Sequence, residues 1–161
     1  MFSKNKKNGK WLAALLTVLG VVLLLLGGGG YFFTPIMPEC NAVIRTTYNN
    51  GESSISRVLF ISIVNINARE SAFIINGTAT YNHERFTIAR TINMTYTADE
   101  GHFLLRPVSI VRRPPDDADR EEIDKLFPVV GKDILFTVEK LNGQQYIFAD
   151  NHSPNFICNK R

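Results

Sequence analysis

The sequence predicts a mainly β domain, a barrel or half-barrel of antiparallel strands with a short helix, carried behind one N-terminal transmembrane helix. An uncharged stretch over residues 11–33 indicates the membrane helix. A succession of short segments in which apolar and polar residues alternate indicates the sheet, because side chains on a strand repeat every second residue. One cysteine lies near each end of this succession.

The first 33 residues predict a cytoplasmic tail (1–10) and a transmembrane anchor (11–33). The tail has four lysines and no acidic residue, a bias that keeps a short tail in the cytoplasm. A helix of about 23 residues covers roughly 34 Å, enough for a hydrocarbon core of about 30 Å. A cleaved secretory signal is the alternative, because Gly28 and Gly30 provide small residues for a cleavage site. Both alternatives export the remainder of the chain.

The charge balance argues against nucleic-acid binding. Four of the 18 basic residues lie in the tail, which leaves 14 basic against 15 acidic residues elsewhere. The exported part therefore carries no basic stripe for phosphate contacts, and we expect no direct nucleic-acid partner.

Residues 34–38 contain two prolines and predict a short stalk, and residues 39–161 predict one exported β domain. A turn is expected at Asn49–Gly51. The predicted strands are Ala42–Tyr48, Ile55–Ile66, Phe73–Tyr81, Arg85–Tyr96, Phe103–Arg112, Ile134–Lys140 and Tyr146–Ala149.

Two further features shape this sheet. Pro107 lacks a ladder donor, so the fifth segment should be an edge strand or contain a bulge. After it, Asp117 suits a helix N-cap, and Ile123 and Phe127 share one face before Pro128, so we expect a short amphipathic helix. Because open sheet edges invite association, the strands should close into a barrel or half-barrel with this helix at one opening.

Arg90 interrupts an otherwise apolar face that includes Phe86 and Ile88, with Tyr81 in the preceding strand. A guanidinium in this position must be paired or reach water. One hypothesis is therefore an ion pair with a carboxylate or an extended reach to the barrel rim. The other is a ligand site in which Arg90 binds the carboxylate of an amphipathic molecule beside these three residues.

The remaining candidates are the histidines and cysteines. His83, His102 and His152 fall in or beside predicted turns, where they are either simply exposed or sense mild acidification. Their spacing fits no metal site, and no nucleophile or phosphate-loop motif is present, so we expect no catalytic residue, metal or cofactor and no enzyme. Cys40 and Cys158 should form a disulfide in an oxidising compartment.

The layout of lysine-rich tail, single span, Cys40 after a stalk, the segment NGTATYN…ERFTIARTINMTY and the closing SPNFIC resembles the FidL-like membrane proteins of enteric bacteria, particularly their PsaF/MyfF-like branch. ToxS and VtrC are more distant analogues. The resemblance maps the cysteine pair of the family to Cys40 and Cys158.

The resemblance implies a single-pass protein of the bacterial inner membrane. Its periplasmic domain, residues 39–161, would bind and stabilise a ToxR-type, PsaE/MyfE-like winged-helix regulator. It would support signal-dependent expression of a fimbrial or virulence operon, with acid as one candidate signal. Analogous pairs form a β-barrel-like unit, in some cases holding a small amphipathic ligand. Two alternatives remain: a periplasmic barrel that binds a lipid or bile-type amphipath, and an envelope assembly chaperone, which would need an exposed unpaired strand.

Overall fold

The computed structural model of the protein describes residues 11, 14–23, 35–49 and 54–161. The chain forms two compact units, Met1–Thr34 and Pro35–Arg161. In the first, residues 14–23 are helical (α1). Within the described residues, no helix combines the length and apolar character needed to span a membrane. The predicted tail, much of the predicted anchor (12–13 and 24–33) and the predicted turn over residues 50–51 lie outside the described residues.

The second unit is mainly β, as predicted. Eight antiparallel strands form a closed barrel in sequence order, and one short helix lies between the fifth and sixth strands. The elements are β1 Cys40–Asn49, β2 Ser54–Asn67, β3 Glu70–Tyr81, β4 Glu84–Asp99, β5 His102–Arg112, α2 Glu121–Asp124, β6 Ile134–Lys140, β7 Gln145–Ala149 and β8 Pro154–Lys160.

All seven predicted strand segments fall within observed strands, and β8 is an eighth strand that the sequence pattern did not predict. Its inward residues are Phe156 and Cys158, of which Cys158 is fully buried. The flanking positions are polar and Pro154 begins the strand, so the short alternation gave little signal. The strand forms because β7 provides a ladder for it.

The predicted helix is wrong in its extent. It covers only Glu121–Asp124, and its N-cap is Arg120, without a side-chain capping bond. Asp117, the expected N-cap, instead accepts a hydrogen bond from the Thr87 backbone N–H of β4. Tertiary contacts with the barrel therefore use the acidic side chain that local reasoning assigned to the helix.

Other sequence expectations hold in the long strands. The β4–β5 register shifts between Asn93 and Met94, beside Pro107, which confirms the predicted bulge. The β4 face that carries Phe86, Ile88 and Arg90 is buried throughout, and among the described residues Arg90 is the largest fully buried side chain. Gly77 of β3 lies where a Cβ would overlap the Val58 carbonyl oxygen of β2. Glycine therefore allows β2 and β3 to approach closely.

The junction between β1 and β8, which we call the seam, is short. Among the described residues it consists of two ladder pairs, Cys40 with Lys160 and Asn41 with Asn159. The predicted disulfide is present: Cys40 and Cys158 are bonded, with Cα atoms 5.5 Å apart. The cross-link therefore lies at the paired end of the seam, where the barrel closure depends on few backbone hydrogen bonds.

Candidate functional site: the cavity inside the barrel

The barrel contains a partly open cavity of about 360 Å³, a volume within the roughly 300–1,000 Å³ of small-molecule pockets. Its wall comes from β1 to β4, β6, β8 and the segment after α2. Most lining side chains are aliphatic or aromatic, including Ile61, Phe73, Ile75, Ile92, Met94 and Phe136. Such a wall fits the apolar body of a small molecule better than a polar metabolite.

Arg57 supplies the charge in this lining. It faces inward because it shares the strand period with Leu59 and Ile61 of β2, both buried. Its Nη1 donates to the Leu126 carbonyl oxygen over 3.1 Å. Within the described part of the chain, no carboxylate lies within ion-pair distance of its guanidinium.

Partial burial of Arg57 has an electrostatic consequence. Desolvation lowers the pKa of the guanidinium, although arginine stays protonated in proteins. One carbonyl leaves most of its five N–H donors without a described protein partner. The group is therefore suited to bind an anion that enters the cavity.

The cavity reaches the seam. Beyond the two ladder pairs described for β1 and β8, residues of both strands line the cavity. Ile44 and Thr46 contribute from β1, and Asn155 and Phe156 contribute from β8. The seam beyond its ladder pairs therefore forms part of the cavity wall.

The connection between β5 and β6, residues 113–133, covers one end of the barrel, and we call it the roof. Ala118, Ile123 and Phe127 of the roof are buried in the main hydrophobic core. Phe127 and Leu126 also line the cavity. Residues of the roof therefore line the cavity.

Arg90 fastens the roof to β4. Its Nε donates to Asp116 Oδ2 over 2.9 Å, its Nη1 to Asp124 Oδ1 over 2.7 Å and its Nη2 to the Ala118 carbonyl over 2.8 Å. The guanidinium carbon also lies 4.4 Å from the centroid of the Phe127 ring. A buried charge is tolerated here because each side of it meets an acceptor or an aromatic face.

Asp116 is the inner partner of this cluster. Desolvation would raise the pKa of its carboxyl, but hydrogen bonds from the Arg90 guanidinium and the Ala89 backbone N–H outweigh it, so the pKa is lowered. Asp116 Oδ1 also accepts from the Ala118 N–H over 3.2 Å. At the surface, Arg112 continues the network to Asp119 and Asp124.

The structure places the four predicted contact residues together in the barrel wall but outside the cavity lining. Phe86 and Ile88 are buried core residues, and Tyr81 packs partly buried against the same core. Arg90 has the ion pairs that one of the two hypotheses requires, and protein groups occupy its hydrogen-bonding directions.

The three histidines are exposed and lie at separate turns. His83 and His152 fall in the β3–β4 and β7–β8 turns, at the roof end, whereas His102 begins β5 at the other end of the barrel. His102 Nδ1 lies 3.1 Å from Thr137 Oγ1. In the described ranges, no group of three His, Cys, Asp or Glu side chains is arranged to hold a metal ion.

Sequence reasoning did not select Arg57, although a signal was present. In the predicted strand Ile55–Ile66, period-two alternation places Arg57 in phase with Leu59 and Ile61, which the structure buries. The sequence does not show whether an acidic side chain lies near Arg57, because that depends on where the fold places the aspartates of the roof.

The fold and the site define a class: an eight-stranded antiparallel barrel with an apolar cavity whose lining includes one arginine, Arg57. No protein-family model matches the chain. The comparison with curated proteins also gives no match.

Proposed function

We propose that the domain is a binding protein whose barrel takes up an amphipathic anion. The observation that carries this proposal is Arg57, a charged group set into an apolar cavity without a carboxylate partner among the described residues. The apolar body of the guest would lie against β3 and β4, and its anionic group would accept hydrogen bonds from Arg57. A hydrogen bond to a charged group contributes about 1.5–3 kcal/mol.

The disulfide supports an exported location for this activity. Disulfides persist in oxidising compartments and are rare in the cytosol, and Cys40–Cys158 closes the barrel at the seam. Together with the uncharged N-terminal segment, this favours a domain in the bacterial periplasm, anchored to the inner membrane.

The test is calorimetric titration of laurate into the full chain held in lipid nanodiscs, with empty nanodiscs subtracted. Arg57→Met removes the charge at similar length and should weaken laurate binding roughly 10- to 100-fold. Arg85→Met is the matched control, because Arg85 is exposed on β4 outside the cavity. The affinity for dodecanol, which has no charge, should be the same in wild type and Arg57→Met. Equal laurate affinity in wild type and Arg57→Met would refute the proposal.

A second candidate is the accessory role that the resemblance implies, in which the domain binds and stabilises a single-pass, ToxR-type regulator. Exposed apolar side chains on the outer barrel wall favour a protein partner: Val43 is 65% exposed, Phe60 44% and Ile157 48%. Val43 and Phe60 are ladder partners in β1 and β2, and Ile157 lies in β8. The two functions are compatible, because the guest would lie inside the wall and the partner outside it.

Co-purification tests this second candidate. The full chain, tagged and expressed in its native bacterium, is solubilised mildly and its companions are identified. Recovery of a single-pass protein with a cytoplasmic DNA-binding domain supports the accessory role, and loss of that protein when the tagged chain is deleted supports stabilisation. Recovery of the chain without any such protein would refute it.

A further inference from the structure

We infer that Thr46 is the second residue that binds the anionic group of the guest, which is therefore held with its charged head at the mouth of the cavity and its tail inside. The mouth is the more exposed part of the lining, formed by Thr46, Arg57, Pro154 and Asn155. This inference rests on the proposed function, because it specifies how the amphipathic anion is oriented and recognised.

The lining changes in polarity from the mouth to the interior. The polar residues in the described lining are Thr46, Arg57 and Asn155, all at the mouth. The buried part of the lining, which we call the floor, includes Ile92 and Met94, with 0% and 2% exposure. An amphipathic guest meets groups of matching polarity at both ends only when its head lies at the mouth and its tail at the floor.

The sheet places Thr46 beside Arg57. The two residues are directly opposite each other in the β1–β2 ladder, and both line the cavity. Residues directly opposite on one face of an antiparallel pair have Cβ atoms about 4.5–5.5 Å apart. A hydroxyl and a guanidinium at this spacing can donate to the two oxygens of one carboxylate.

The Thr46 hydroxyl is a better donor for the guest than the Asn155 side chain. Within the part of the chain that the structure describes, no group is hydrogen-bonded to the Thr46 hydroxyl. Asn155 Nδ2, in contrast, donates to Asp150 Oδ2 over 3.3 Å. An anion at Asn155 would therefore approach a carboxylate and be repelled by it, whereas the described lining itself contains no carboxylate.

The test is calorimetric titration of laurate into the full chain in lipid nanodiscs, with empty nanodiscs subtracted. Thr46→Val removes the hydroxyl at nearly constant shape and should weaken laurate binding about tenfold. Thr46→Ser keeps the hydroxyl and should bind laurate as wild type does. Thr47→Val is the matched control, because Thr47 is the next residue of β1 but lies outside the cavity lining.

The double variant of Thr46→Val with Arg57→Met tests whether the two residues bind the same group. Without the guanidinium the carboxylate is no longer held beside Thr46, so Thr46→Val should weaken laurate binding less in the Arg57→Met background than in wild type. Additive losses would mean that the two residues act on different parts of the guest and would overturn the inference.

Two other results would also overturn it. One is wild-type laurate affinity in Thr46→Val, and the other is a loss in Thr46→Val that Thr46→Ser shares, which would indicate altered packing instead of a lost hydroxyl. The proposed function fails separately. If Arg57→Met weakens laurate binding and Thr46→Val does not, the role of Thr46 is refuted and the binding function stands. A wild-type chain that does not bind laurate refutes both.

Discussion

The carboxylate of Asp116 is the polar group whose removal should destabilise the barrel most. Its side chain is 0% exposed and that of Arg90 is 2% exposed. Asp116 accepts hydrogen bonds from Arg90 Nε and the Ala89 N–H, each over 2.9 Å, and from the Ala118 N–H over 3.2 Å. Asp116→Ala would leave these donors without this acceptor and Arg90 with Asp124 as its remaining carboxylate.

The expected cost follows from this geometry. Breaking a buried ion pair by removing one partner destabilises by about 3–5 kcal/mol. The loss of acceptors for the two backbone donors belongs to the same event and is not added separately. About 1 kcal/mol changes the melting temperature of a domain of this size by roughly 2–8 °C. Asp116→Ala should therefore lower the melting temperature by roughly 6 °C or more.

The assay is thermal unfolding of the full chain in detergent, followed by circular dichroism in the β region. Asp133→Ala is the control, because Asp133 forms an exposed ion pair with Arg106 and its loss should change the melting temperature little. The double variant Arg90→Met with Asp116→Ala removes the unpaired charge and should recover part of the loss. If Asp116→Ala has the same melting temperature as the Asp133→Ala control, the argument that the buried ion pair of Arg90 and Asp116 stabilises the barrel fails.

Three further predictions concern acid, the cross-link and the close strand approach. Because the folded-state pKa of Asp116 is lowered, its charge stabilises the fold above about pH 4, and this contribution is lost as the pH falls through the lowered pKa. The difference in free energy of unfolding between wild type and Asp116→Asn, measured with urea, should therefore be constant from about pH 5 to 8 and become smaller in stronger acid. Replacing Cys40 and Cys158 by serine should lower the free energy of unfolding by about 4–5 kcal/mol, and equal melting of oxidised and reduced wild type would contradict this. Gly77→Ala should destabilise by a few kcal/mol, whereas Gly143→Ala, where a Cβ meets nothing within 4 Å, should be nearly neutral in the same melting assay.

The fold was predictable where inward positions repeat every second residue. The β4 face with Phe86, Ile88 and Ile92 shows this pattern, and the structure buries all three. The β8 strand was not predictable in this way, because only two apolar residues face inward and its formation depends on pairing with β7 and β1. Helix α2 is short because the aspartates ahead of it hydrogen-bond to β4, a tertiary contact that local rules do not contain.

The site was predictable in part. That a buried arginine would need a partner followed from Arg90 and its apolar face, but the identity of the partners did not. Asp116 and Asp124 lie 26 and 34 residues away along the chain. Their meeting depends on how the roof folds back over the barrel, which no spacing rule encodes. Arg57 shares the strand period of the inward residues of β2, yet only the position of the roof shows that no carboxylate among the described residues pairs with it.

The roof gives Arg90 carboxylate partners but gives Arg57 none. The carboxylates of Asp116, Asp119 and Asp124 all pair with Arg90 or Arg112, and the roof gives Arg57 only the Leu126 carbonyl. Leu126 lies next to Phe127, whose ring contacts the Arg90 guanidinium and also lines the cavity.

On the proposed function, an anion bound by Arg57 would therefore compete with the Leu126 carbonyl for the same guanidinium. That competition would act on the segment that Arg90 holds in place. Binding inside the barrel should accordingly alter the hydrogen-exchange rates of the roof amides around Ala118 and Ile123 more than those of β1 and β2, and a uniform effect on all strands would show that the cavity and the roof are not linked through Arg57.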